Sequence, residues 1–154
     1  MRPQTHTLDT QQGNLFLPRI EEEIQSDHPL VELAEQLPWP SLEEHFYYGY
    51  AQSGRPGKRV RLMLGILFLQ QLHNLSEERT IAAWCQEPHW QYFCGCAFFD
   101  PAPPMDRSAL AHWRKKFGKE TVEMVLQRMA KAGEALGLIA WQNADFVLRC
   151  RSGS

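Results

Sequence analysis

Cys85, His89, Cys94 and Cys96 fall within twelve residues and bring together thiols and an imidazole, the ligand types that zinc accepts. The spacing C-x3-H-x4-C-x-C departs from familiar structural zinc patterns, and Cys-Gly-Cys at 94–96 leaves little room for tetrahedral geometry. Thiols packed in a core are the simpler reading of these residues. A second chemistry lies in two basic clusters. Arg55, Lys58, Arg59 and Arg61 precede a long apolar stretch, and Arg107, Arg114, Lys115 and Lys116 share a short segment with Ser108 and His112. Arginine makes bidentate contacts to guanine or phosphate, lysine supplies a point charge to the backbone, and Ser or His adds hydrogen bonds along the same face. No G-x-x-x-x-G-K or G-x-G-x-x-G loop occurs, and His6, His28, His45, His73 and His112 have no Ser or Cys nucleophile at motif spacing. Hydrolase and nucleotide-binding readings therefore have no anchor.

Charge distribution favours the basic clusters as a nucleic-acid footprint. The whole chain carries a net charge of only −2. Residues 1–54, however, hold two basic side chains against nine acidic ones, whereas residues 55–119 hold ten against five. The first third repels a polyanion and the middle attracts one. The start of the chain lacks a basic region followed by a long apolar run, so no secretory signal is expected and a cytoplasmic location is. The apolar run at 62–69 is far short of the roughly 20 residues that a membrane-spanning helix needs, so no membrane partner is expected.

The elements that must position these residues are predicted to be helices. Residues 1–27 read as a polar arm with one apolar patch at 15–18. Residues 28–37 form a short helix, stopped by Pro38-Trp39-Pro40, and Ser41-Leu42-Glu43-Glu44 has the form of a capping box that starts another helix through about residue 48. Gly54-Arg55-Pro56-Gly57 is a turn. From 58 to about 73 the apolar residues surround the helix, which places it in the core. Ser76 caps a helix through about 86, with Ile81, Ala82, Trp84 and Cys85 as its apolar contacts. Pro88 to Phe93 is an aromatic-rich short helix, and 94–105 is a loop. Asp106 then caps a helix through 117, with Leu110, Trp113 and Phe117 facing inward and the basic residues mostly outside. A last helix, 119–136, buries Val122, Val125 or Leu126, Met129 and Leu136, and Gly137 closes it. The expected class is all-α, a compact multi-helix domain of five to seven helices over 28–137. Its helices at 76–86 and 106–117 make a helix-turn-helix-like DNA-binding arrangement.

Several separated segments together resemble the N-terminal domain of InsH-type insertion-sequence transposases of the DDE class. They are Gln12-Gly13-Asn14-Leu15-Phe16, HPLVELA, GRPG running into RLMLGILFLQQLHNLSEE, EPHWQYFCG and DRSALAHWRKKFG, and they span about residues 12–137. The resemblance implies binding of double-stranded DNA at the terminal inverted repeats of a mobile element. It also implies partnership with further copies or with full-length transposase, and a separate RNase H-like catalytic domain that holds Mg²⁺. Residues 138–154 then read as a tail, the truncated start of that domain. Asp145 is read as a surface aspartate, since no apolar strand precedes it and no Thr follows. The expectation is a module that is not catalytic on its own and needs no cofactor or metal. The alternatives are a multimerisation module or a non-functional relic of a transposase.

Overall fold

The computed structural model describes residues 19–53, 59–142 and 145–148. It opens with a single 3-10 turn at Ile20–Glu22. Ile20 is fully buried, its N–H donates to the Ala97 carbonyl at 2.9 Å, and Arg19 pairs with Phe98 in an isolated antiparallel bridge. The last residues of the expected arm thus lie against the domain. The apolar patch at 15–18 and the turn at 54–57 fall outside the described residues.

Helix α1, Pro29–Gln36, begins with proline at its first position and with His28 as N-cap, where Nδ1 accepts a hydrogen bond from the Leu30 N–H at 3.1 Å. Helix α2, Trp39–Ser53, corrects the expectation of a break at Pro38-Trp39-Pro40 and a cap at Ser41. Pro40 lies in the first turn, where its missing N–H leaves no intrahelical bond unmade. Trp39 is buried and its indole N–H donates to the Ala34 carbonyl at 2.8 Å, which fixes the start of α2 on the end of α1.

Helix α3, Val60–His73, is buried on every side and ends at Asn74, whose φ of 53° is left-handed. It packs against α2, all four later helices and the second strand, so the molecule is built around it. Helix α4, Glu77–Trp84, starts at Ser76, whose Oγ accepts from the Arg79 N–H at 3.1 Å. Ala82, expected inside, is exposed. Helix α5, Pro88–Phe93, carries the fully buried Gln91. Its amide N–H donates to the carbonyls of Trp84 (2.9 Å) and Asp100 (2.8 Å), and its Oε1 accepts from the Asp100 N–H at 2.9 Å. One side chain therefore ties the loop at 94–107 to the helices before it.

Helix α6, Ser108–Phe117, starts later than the sequence suggests, and Asp106 does not cap it through its side chain. The Asp106 carbonyl instead accepts from the Ala109 N–H at 2.9 Å in a preceding turn. Gly118, with φ of 91°, separates α6 from α7, Lys119–Ala135. Val122, Val125, Leu126 and Met129 of α7 are all fully buried. Leu136, expected inside, is 45% exposed, because the helix stops at Ala135 and Gly137 (φ 78°) turns the chain so that Leu138 and Ile139 enter the core instead.

Residues read as a tail form a hairpin. Strand β1, Ile139–Gln142, pairs antiparallel with β2, Asp145–Leu148, in the register Ile139↔Leu148 to Gln142↔Asp145. A strand therefore does precede Asp145, which opens the second strand. Runs of four residues are too short to carry a visible alternation, and pairing is what defines them. Gly133 of α7 makes room for this return, since a Cβ there would meet Cδ1 of Ile139 at 2.5 Å. Among the described residues the fold is thus seven α-helices, one 3-10 turn and one two-stranded sheet.

Candidate nucleic-acid interface

Helix α6 is held by one face. Leu110 and Trp113 are buried, and Trp113, Phe46 of α2 and Phe117 form an aromatic cluster with ring centroids 4.7 to 5.2 Å apart. Packing against α2, α3 and α7 fixes the helix and leaves its other side outward. Arg107, Ser108, Ala111, His112, Lys115 and Lys116 are exposed there. Arg114 is half-buried, and its Nε is enclosed without a hydrogen-bond partner among the described residues. The Lys116 ammonium lies 5.3 Å from the Phe117 ring centroid. Arg107, at the N-cap position, forms an ion pair with Glu78 of α4 at 3.2 Å.

Ser108, His112 and Lys116 recur every four residues and so run along one line of the helix. They rim a groove of about 700 Å³ whose floor is Met63, Met105 and Trp113. The groove lies between α6 and the end of the loop that Gln91 anchors.

The second basic cluster divides. Arg55 and Lys58 fall outside the described residues. Arg59 is exposed at the N-cap of α3, one turn before Met63 on the groove floor. Arg61 turns inward instead. Its Nε donates to the Phe93 carbonyl at 3.1 Å, its Nη2 to the Tyr92 carbonyl at 3.4 Å, and its guanidinium carbon lies 4.3 Å from the Trp39 ring centroid. Burial pulls its pKa below the usual arginine value. Arg61 thus joins α3 to α5 and α2, and those hydrogen bonds are directed at carbonyls of the fold. The signal was present in the sequence: an arginine between Val60 and Leu62 of a helix apolar all round must lay its stem on the core.

The cysteine and histidine set is dispersed into other roles. Cys94 is fully buried with Sγ against Gly65, where an added Cβ would lie 2.5 Å away, and burial pushes its thiol pKa far up. Burial also raises Cys96 and Cys85. His89 stacks on His28, and its Nε2 accepts from the Gln25 N–H at 3.2 Å. Among the described residues no three metal-ligating side chains converge. No described helix is long and apolar enough to cross a membrane.

Residues 18–116, which take in α1 to α5 and nearly all of α6, match the family model described as Transposase domain (DUF772). The chain belongs to that transposase domain family. It is also similar to the uncharacterized protein ORF8 in the nfe locus of Rhizobium meliloti, with 36% identity over 125 residues, 81% of this chain and 60% of that protein. The chain thus spans about three fifths of that relative's length. No solved structure matches it.

Proposed function

We propose that this transposase-family domain binds double-stranded DNA at the terminal inverted repeats of a mobile element, with the outer face of α6 as its reading surface. The observation that carries this is α6 itself, anchored inward by Leu110 and Trp113 and exposing Arg107, Ser108, His112, Lys115 and Lys116 outward. A rigid helix with a basic, hydrogen-bonding face suits a major groove, and the charge excess of residues 55–119 supports the same partner. In this reading α4 and α6 take the helix-turn-helix roles, with α5 and the loop at 94–107 as an elaborated connection. Lys115 and Lys116 neutralise phosphates, Arg107, Ser108 and His112 meet phosphate or base edges, and Arg114 borders the surface. Arg59 adds charge beside the groove, Arg55 and Lys58 are assigned on sequence charge alone, and Arg61 is left out. The domain recognises DNA without cutting it, needs no metal of its own, and acts beside a catalytic domain or further copies of transposase.

A salt titration of wild type and of the Arg107→Ala, Lys115→Ala, Lys116→Ala triple variant on inverted-repeat and scrambled duplexes tests this. If about four side chains neutralise phosphates, log affinity falls with log salt at a slope of roughly −4, and the triple variant loses most of it. Unchanged binding by a folded triple variant removes α6 from the interface. The apolar floor of the groove beside α6 favours subunit contact as the second reading, and that result combined with concentration-dependent association would favour it.

A further inference from the structure

The ion pair between α4 and α6 leads beyond the assignment of a DNA-facing helix. Glu78 lies in the first turn of α4, where the helix dipole favours a carboxylate. Arg107 sits at the N-cap of α6, where the dipole disfavours a cation. Their 3.2 Å contact compensates the arginine with an anion from another helix. The side chains of Arg107 and Glu78 are 68% and 76% exposed, so water screens the pair and it contributes little to folding. Such a contact is cheap to break and is well placed to be exchanged.

We propose that Glu78 is an internal stand-in for a DNA phosphate: it holds Arg107 until the nucleic acid replaces it, and α4 thereby sets the affinity of α6. This rests on the DNA-binding reading above. A carboxylate and a phosphodiester each offer a guanidinium a pair of oxygens that share one negative charge, so the two compete for the same N–H groups. Every duplex that recruits Arg107 must first displace Glu78, which then stands beside the phosphate as a like charge. Contacts too poor to displace the carboxylate gain nothing from Arg107, and the pair acts as a threshold against loose binding.

Duplex binding is measured at one moderate salt concentration for wild type, Glu78→Gln, Glu77→Gln, Arg107→Ala and the Glu78→Gln, Arg107→Ala double variant, with helicity and melting recorded for each. Glu77 carries the same charge on the same turn, and among the described residues it forms no ion pair with Arg107. Glu78→Gln is expected to bind the inverted-repeat duplex roughly three- to fivefold more tightly, the scale of an exposed ion pair, and Glu77→Gln less than twofold. In the Arg107→Ala background the Glu78 substitution should have almost no effect. Equal tightening with and without Arg107, or by Glu77→Gln to the same degree, would mean general repulsion and overturn the exchange. Wild type that binds duplexes with Glu78→Gln unchanged overturns it too while the DNA reading stands. No duplex binding by any variant overturns both.

Discussion

The imidazoles of His28 and His89 lie face to face, with ring centroids 4.1 Å apart and planes 23° from parallel. Each also accepts a backbone hydrogen bond, from Leu30 and Gln25 respectively, so the nitrogens used must be unprotonated. Burial lowers the pKa of both, the neighbouring His89 lowers His28 further, and Asp27 and Glu87 offset only part of this. His73, stacked on Trp90, is lowered by burial as well. The unfolded chain therefore binds protons from about pH 6.5 downward while the folded chain resists them, and stability present above that pH is lost as pH falls below it. Denaturant midpoints measured between pH 7.5 and 5 should hold nearly level down to about pH 6.5 and fall below it for wild type. The His28→Asn, His89→Gln double variant, which keeps acceptors but cannot titrate, should flatten most of the slope. An identical slope would assign it elsewhere.

Arg61→Ala separates structural from interfacial arginine. Loss of two charge-assisted bonds to carbonyls and of the Trp39 contact should cost about 2 to 4 kcal/mol of stability. The salt slope of DNA binding, measured below the melting transition, should stay as in wild type. A slope flattened by about one would return Arg61 to the interface.

Gly65→Ala should destabilise by about 1 to 3 kcal/mol, because the new methyl would overlap Cys94 Sγ at 2.5 Å and press on its Cα at 3.3 Å. Adding Cys94→Ala removes the sulfur and should restore part of the loss. Chemical denaturation of the two variants checks this, and no recovery in the pair would mean that the backbone contact dominates.

Gln91→Leu fills a similar space but leaves two carbonyls and the Asp100 N–H without their partner. A loss of about 1 to 3 kcal/mol is expected, with hydrogen exchange accelerating at Asp100 before it does in α3. Uniform acceleration across the domain would show that the loop does not open separately.

Lys115→Ala should weaken binding to inverted-repeat and scrambled duplexes alike and flatten the salt slope by about one. Arg114→Ala should act chiefly on stability, since the side chain is half-buried. Loss of sequence preference without loss of stability in Arg114→Ala would make it a base-reading residue instead.

Helices marked by a side-chain cap or by a continuous apolar wrapping were legible from residue types alone. Ser76 and the apolar wrapping of 60–73 predict their elements because one hydrogen bond and one burial pattern decide each. The α2 start was not, since Trp39 begins the helix through a bond to Ala34 in a different helix. Leu136 failed for a related reason: its periodicity continues a helix that Gly137 has already ended. At the candidate site, the outward face of α6 followed from spacing, whereas the inward turn of Arg61 and the pairing of Arg107 with Glu78 depend on which helices meet. Sequence separation does not encode those meetings.

The wrapping of α3 also shapes how the chain must be made. Of the helices that pack most closely on it, α2 precedes it in the chain, and α4 to α7 all follow. A ribosome therefore extrudes a fourteen-residue segment, ten of whose residues are buried in the finished fold, well before most of their cover exists. Until residues 77–135 arrive, such a segment is a ready target for holding chaperones and for self-association, a hazard that the stability of the finished fold does not remove.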